Sequence, residues 1–224
     1  MIFTDRRDAG RALARELSGY AGRPDVVVLG LPRGGVPVAR EVARALGAPL
    51  DVFVVRKIGY PGNPELAIGA IASGGVTVLS NRLIAELDVP RAAVEAAIAR
   101  EREELARRER AYRPGRPPLA VGGKTVVLVD DGLATGATMR AAVAAIRKLG
   151  PGSIVVAVPV GAPQALADAT AAADAGVCVS APPDFMAVGE WYADFGQTTD
   201  EEVRDLLAER AEDAAPTAGN YTRI

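Results

Sequence analysis

The stretch Thr125-Val126-Val127-Leu128-Val129-Asp130-Asp131-Gly132-Leu133-Ala134-Thr135-Gly136-Ala137-Thr138 decides how this chain is read. Thr125–Val129 is a short β-branched run with no polar face, as in a strand covered on both sides of a parallel sheet. From Thr138 to Leu149 the pattern turns helical, so the residues between form a strand-to-helix loop. In parallel α/β sheets, ligands bind at the carboxyl ends of strands. A helix N-terminus adds unpaired N–H groups and a partial positive charge that favour a phosphate. Gly136 permits close backbone approach, and Thr135 and Thr138 carry hydroxyl donors. Asp130 and Asp131 would repel a phosphate unless a hydroxylic spacer lay between, and a ribose 5-phosphate has that shape. The alternative is an Asp-Asp helix cap, but a cap needs only one carboxylate.

The pattern repeats on both sides of this loop. Asp5–Gly19 has Ala9, Leu13 and Leu17 at helical spacing. Asp25–Leu29 predicts a buried strand, Val36–Leu46 a helix stopped by Gly47, and Asp51–Val55 a second strand. Lys57–Gly69, rich in Gly and Pro, predicts a loop. Ala70–Leu79 predicts two short strands turning at Gly74-Gly75. Arg82–Tyr112 is helical with a break near Pro90. Its charged stretch Arg100–Arg110 reads as a solvated face laced with ion pairs or, second, as a face for a partner helix. Pro114–Gly123 is a linker. Ile154–Val160 and Val177–Ser180 are strands separated by a helix at Pro163–Ala173. Strands alternating with helices predict an α/β fold: a three-layer, doubly wound, mostly parallel sheet. One domain is expected over residues 1–213, with a frayed tail at 214–224.

Composition narrows the chemistry. The 224 residues are 49% hydrophobic, enough for one compact core, and the 4% aromatic content makes that core aliphatic. A net charge of −2 gives no basic face for nucleic acid. No apolar run reaches the length of a membrane span, and the N-terminus lacks a secretory pattern; a soluble, cytoplasmic protein is expected. The single cysteine, Cys178, falls in a strand and reads as a small core residue. There is no histidine, so the commonest general base and metal ligand are both missing. Gly122-Gly123-Lys124-Thr125 imitates the end of a nucleotide-binding P-loop but precedes its strand, and Pro118 stands where the leading glycine belongs. Asn220-Tyr221-Thr222 matches a glycosylation sequon and is read as chance.

Two further segments look like anion sites. Gly30-Leu31-Pro32-Arg33-Gly34-Gly35-Val36 follows the first strand and enters a helix; its glycines free two amides, and Arg33 offers a bidentate guanidinium. The alternative is a tight turn with an exposed Arg. Arg56-Lys57 ends the second strand and opens the Gly/Pro loop, which could close as a lid. The strand followed by Asp-Asp-Gly-x-Ala-Thr-Gly-Ala-Thr resembles the phosphoribosyl-pyrophosphate motif of the type I phosphoribosyltransferases. That resemblance implies the type I fold with a flexible loop and a small C-terminal hood. It implies ribose 5-phosphate binding by Asp130, Asp131, Gly132, Ala134, Thr135, Gly136, Ala137 and Thr138. Arg33, Gly34, Gly35, Arg56 and Lys57 would hold the diphosphate. Asp130, Asp131 and Glu65 are the candidate catalytic groups, although Glu65 reads equally well as an exposed loop acid or helix cap. Tyr60 reads as loop packing.

The hood candidate is residues 181–199. It holds the only tryptophan and two of the four phenylalanines. Phe185, Val188, Trp191, Tyr192 and Asp194 are the candidate base-binding residues; a satellite core anchoring the C-terminal helix near Asp200–Arg210 is the equal alternative. Phe185, Val188-Gly189 and Asp194 resemble the hypoxanthine-guanine hood, but with one extra residue between Gly189 and Asp194. The lysine that reads a purine oxygen in that branch has no counterpart in Val158–Ala162. The implied reaction, in nucleotide metabolism and salvage, transfers 5-phosphoribosyl from phosphoribosyl pyrophosphate to a nucleobase-like acceptor and releases pyrophosphate. It uses Mg²⁺ held mostly through water or substrate, with Asp130 and Asp131 nearby. A non-catalytic sensor of the same ligand is the rival reading, and a homodimer is left open.

Overall fold

The computed structural model describes residues 1–208, apart from the side chains of Pro64 and Glu65. The expected tail at 214–224, the domain end near 213, the sequon and the end of the C-terminal helix lie outside the described residues.

The main sheet has five parallel strands: β1 (Val26–Gly30), β2 (Leu50–Val52), β6 (Thr125–Val129), β7 (Ser153–Val160) and β8 (Ala175–Ser180). Their spatial order is β2-β1-β6-β7-β8. The chain builds outward from β1 in one direction and from β6 in the other, so the winding reverses between those two strands. This switch point is where an open α/β sheet leaves a crevice at its carboxyl edge. β1 and β6 are in register from Val26–Thr125 to Gly30–Val129, so the loops that follow them leave side by side.

Alternation along the strands explains the three layers. Val26, Val28, Val127, Val129 and Val155 face Leu13 of α1 (Arg6–Glu16), Leu17 at its C-cap, and Val38, Val42 and Leu46 of α2 (Gly35–Leu46). Val27, Leu29, Val126, Leu128 and Val156 face the other way. They meet Met139, Val143 and Ile146 of α5 (Ala137–Arg147) and Ala165 and Ala169 of α6 (Pro163–Ala172). The α/β doubly wound architecture expected from the sequence is therefore present. Burying a leucine- or valine-sized side chain is worth roughly 1.5–3 kcal/mol, so the sheet is clamped from both faces.

Two expectations fail. The second strand does not run through Asp51–Val55: β2 ends at Val52, and β3 (Val55–Tyr60) belongs to a different sheet. The stretch Lys57–Gly69 is not a loop. It is a hairpin of β3 and β4 (Asn63–Ala72), joined to β5 (Val76–Leu79) in a three-stranded antiparallel sheet. Gly and Pro hid an apolar set, Ile58, Ile68 and Ile71, all fully buried. The Gly/Pro residues have local jobs. Pro61-Gly62 is the turn, Gly59 sits at a register irregularity, and a Cβ on Gly69 would lie 2.5 Å from the Val78 carbonyl.

Against this small sheet pack α3 (Asn81–Glu86) and α4 (Arg91–Tyr112), and α7 (Asp200–Ala208) lies on α4 and α2; Val94, Ala97, Leu105, Val203 and Leu206 belong to the shared core. The outer face of α4 carries ion pairs within the helix, Arg91–Glu95 and Glu104 with both Arg107 and Arg108. Hydrogen bonds from those two arginines hold the Glu104 carboxyl down at about 2. The charged run is thus largely laced by ion pairs within the helix, except that Glu101, 14% exposed, pairs with Arg56 of β3. Cys178 is partly buried in β8 and its thiol is pushed up by burial.

Candidate functional site

The loop after β6 and the loop after β1 touch at the switch point. A Cβ placed on Gly34 would lie 2.0 Å from Oδ2 of Asp131, and one on Gly35 would lie 2.7 Å from the Val129 carbonyl and 3.1 Å from Oδ1 of Asp130. The two glycines are thus required by close approach, a reason the sequence alone did not supply. Leu31 N–H donates to the Val129 carbonyl at 2.8 Å and fastens the same edge. Both loops enter helices at this point: α2 begins at Gly35 and α5 at Ala137. The N-cap of α5 is Gly136, with φ 67 and no side-chain cap. Asp130 and Asp131 lie well before it, so the Asp-Asp helix-cap alternative is not what the loop adopts. Thr135 and Thr138 are exposed, as is Ala134; Thr135 Oγ1 accepts a long 3.4 Å contact from Ala137 N–H.

The carboxylate pair is unequal. Asp130 Oδ1 accepts from the Asp131 amide at 2.9 Å. Burial first, and then the Asp131 charge, push the Asp130 carboxyl well above its ordinary value; the Asp131 amide and the Arg6 guanidinium oppose the rise. Asp131 is held from three sides. Arg6 Nε donates to its Oδ2 at 2.8 Å, the Tyr192 hydroxyl donates to its carbonyl at 2.5 Å, and Gly34 abuts its carboxylate. Burial, followed by the nearby Asp131 charge, raises the Tyr192 phenol, so it stays a donor.

Arg33 stands at the rim of the cleft just before α2, after a cis Pro32–Arg33 peptide, and lies 3.5 Å from Asp200 with both side chains well exposed. Arg56 is turned to α4, where Glu101 takes its Nε and Nη2 at 3.0 and 2.9 Å. Arg56 and exposed Lys57 line a cavity of about 660 Å³ with Tyr60, Ala93, Ala97 and Arg100. None of the residues lining that cavity belongs to Asp130–Thr138. The structure therefore brings Gly34 and Gly35 onto the carboxylates but directs Arg56 elsewhere. The side chain of Glu65 lies outside the description.

The hood is anchored to the N-terminus, not to the C-terminal helix as the satellite-core alternative expected. Phe3 pairs with Tyr192 in a parallel bridge, and their rings stand 5.7 Å apart. Phe3, Ala9, Ala12, Val160 and Tyr192 form a small core flanked by Phe185, Val188 and Trp191. The rings of Phe185 and Trp191 are nearly parallel, 9° apart at 6.3 Å. Val188 sits over the loop: a Cβ on Gly132 would meet its side chain at 2.7 Å. Asp194 is exposed, and its Oδ1 accepts from the Gly196 amide. The core of α7 goes instead to the cluster with α4.

The sequence model of the phosphoribosyl transferase domain matches residues 3–72 and 60–190, most of the chain and both loops that meet at the switch point. The chain belongs to the phosphoribosyl transferase domain family. A relative in two strains of Mycobacterium tuberculosis, provisionally named a phosphoribosyl transferase, is 48% identical over 206 residues. The match covers 92% of this chain but 46% of that relative, so the chain spans about half the relative's length. The bifunctional protein PyrR of Leifsonia xyli is 32% identical, over 66% of this chain and 67% of its own. A crystal structure of TT1426 from Thermus thermophilus shares 50% identity and a TM-score of 0.84, covering 92% of this chain and 98% of that one.

Within this phosphoribosyl transferase domain, one residue of the cleft escaped the sequence reading altogether. Arg6 lies on α1, 125 positions from its partner Asp131, and belongs to no motif. An unusually buried arginine is recognisable only once the fold places it. Among the described residues, no group of three or more His, Cys, Asp or Glu side chains could hold a metal ion. The two carboxylates, one of them paired with Arg6, suit a hydrated cation carried largely by a ligand's own oxygens.

Proposed function

We propose that this domain transfers a 5-phosphoribosyl group from phosphoribosyl pyrophosphate to a ring nitrogen of a heterocyclic, nucleobase-like acceptor, with release of pyrophosphate. The observation that carries this is the apposition of Gly34 and Gly35 to Asp131 and Asp130. It makes one cleft from a loop suited to a ribose phosphate and a loop suited to a diphosphate. A ligand with both groups spans that cleft; a simple pentose phosphate leaves the Arg33 loop unused.

In this reading the amides around Gly132–Thr138 and the hydroxyls of Thr135 and Thr138 hold the 5-phosphate at the start of α5. Asp130 and Asp131 accept from the ribose hydroxyls and supply negative potential for the oxocarbenium-like centre that forms as the nitrogen attacks C1 and the C1–O bond breaks. Arg33 and the Gly34 amide hold the departing diphosphate; Gly35 N–H, one of the two amides expected to be free, is instead given to the Leu31 carbonyl at 3.0 Å. Arg33 can exchange its long contact with Asp200 for that anion, because an exposed ion pair is worth at most about 1 kcal/mol. Mg²⁺, when bound through substrate oxygens near Asp130 and Asp131, supplies charge neutralisation. Phe185, Val188, Trp191 and Asp194 surround the acceptor, while Tyr192, buried in the small core, holds the Asp131 carbonyl. Arg56 and Lys57 reach the diphosphate only if the hairpin releases Glu101. No helix among the described residues is long and apolar enough to cross a membrane.

The test is pyrophosphate release with phosphoribosyl pyrophosphate, Mg²⁺ and a panel of purines, pyrimidines and related heterocycles. Release with at least one base is expected. Silence across the panel from a protein that binds phosphoribosyl pyrophosphate would replace transfer by the sensor reading.

A further inference from the structure

Arg6 uses three parts of its guanidinium at once. Nε donates to Asp131 Oδ2 at 2.8 Å, Nη1 donates to the Gly196 carbonyl at 2.6 Å, and the central carbon lies 4.0 Å from the centre of the Phe195 ring. The side chain is 13% exposed, so these partners, not water, satisfy it. Its three partners lie in different parts of the cleft. Asp131 belongs to the loop after β6, whereas Phe195 and Gly196 belong to the hood. The Tyr192 ring continues the contact, 5.1 Å from Phe195, and its hydroxyl returns to the Asp131 carbonyl. The result is a closed circuit from Asp131 through Arg6 and Phe195 to Tyr192 and back to Asp131.

We propose that Arg6 is a positioning residue that ties the ribose-facing carboxylate Asp131 to the hood, so that filling the donor site changes the setting of the acceptor site. This rests on the phosphoribosyl reading of the cleft. The argument is one of shared atoms. A ribose hydroxyl that donates to Asp131 meets a carboxylate whose Oδ2 already accepts from Arg6 and lies against Gly34. Whether it takes Oδ2 beside Arg6 or the second oxygen Oδ1, it pulls on the one carboxylate that Arg6 holds in place, and any shift of the guanidinium is felt at the Gly196 carbonyl and the Phe195 ring. A lysine could still pair with Asp131 as a point charge. It has no planar fork to reach Gly196 and cover Phe195 together. A purely structural staple between α1 and the hood would be insensitive to the donor ligand.

Trp191 is the only tryptophan and precedes Tyr192 in this circuit, so its emission reports on the hood. Phosphoribosyl pyrophosphate and, separately, ribose 5-phosphate would be titrated with Mg²⁺ into the wild type, Arg6→Gln, Arg6→Lys and Phe195→Leu. In the wild type, saturating ligand should change Trp191 emission. Arg6→Gln should weaken both ligands about tenfold or more, the scale of one hydrogen bond to a charged group, and abolish the emission response. Arg6→Lys should recover most of the affinity but not the response. Phe195→Leu, which keeps Arg6 and Asp131, should bind normally with a diminished response and stands in if Arg6→Gln does not fold. Wild-type affinity and wild-type response in Arg6→Gln, or in Phe195→Leu used in its place, would overturn the proposal and leave a structural staple. Ligand binding by the wild type without any emission change would overturn it as well. No binding of either ligand by the wild type would overturn the phosphoribosyl reading itself, and the proposal with it.

Discussion

Replacing Gly34 with alanine tests the contact that joins the two loops. The new Cβ would lie 2.0 Å from Asp131 Oδ2 and 2.7 Å from its Cγ. Ordinary contact for such a carbon begins near 3.4 Å, so the two groups must separate by about 1.4 Å. Asp131 is short and already engaged. Swinging it away breaks the 2.8 Å bond from Arg6; moving the loop instead strains the Leu31 N–H bond to Val129. Overpacking of this kind costs about 1–3 kcal/mol. At roughly 2–4 °C per kcal/mol for a chain of this size, a loss near 2 kcal/mol lowers Tm by about 4–8 °C. The Kd for phosphoribosyl pyrophosphate should rise at least about tenfold, since Asp131 leaves its place. Gly19→Ala is the control, because nothing lies within 4 Å of its Cβ, and its melt should match the wild type within about 1 °C. Scanning calorimetry with and without ligand reads both quantities. A Gly34→Ala protein that melts and binds like the wild type would refute the apposition.

Asp130→Asn should raise the melting temperature near pH 7 while removing the stabilisation by phosphoribosyl pyrophosphate. The folded carboxyl titrates above its unfolded value, so its favourable protonated form is fully present below about pH 3.9 and is lost as pH rises through the folded value. Asparagine mimics the neutral form at every pH, so the gain should shrink on acidification; a variant less stable than the wild type at pH 7 would contradict this. Tyr192→Phe keeps the hood ring but leaves the Asp131 carbonyl without its donor, a loss of about 1–3 kcal/mol. Its melting curve should fall accordingly, and an unchanged Tm would mean that the hydroxyl does not hold the loop.

The sequence made the main sheet legible because each strand is a short β-branched run closed by a turn, and each helix carries an apolar stripe. The loop at Asp130–Thr138 was legible for a different reason: a carboxylate pair followed by Thr-Gly-Ala-Thr has no economical role in packing alone. The hairpin at Val55–Ala72 was not, since Gly59, Pro61, Gly62 and Gly69 imitate a loop while filling a turn, an irregularity and a close strand contact. Arg56 shows a second limit. The strand end expected there is instead the start of β3, and the pairing of Arg56 with Glu101, 45 residues on, required the antiparallel sheet to be known. Arg6 and Phe3 were hidden for the same reason, because a contact across more than a hundred residues leaves no local pattern. The hood was half legible: its aromatics marked a cluster, but not that the N-terminal segment would complete it.

The most direct measurement is a calorimetric titration of phosphoribosyl pyrophosphate with Mg²⁺ into the wild type and into a protein carrying both Asp130→Asn and Asp131→Asn. Saturable one-site binding by the wild type, lost in a folded double variant, is the predicted result. No binding by the wild type, or equal binding by the double variant, would contradict the assignment of this cleft to phosphoribosyl pyrophosphate.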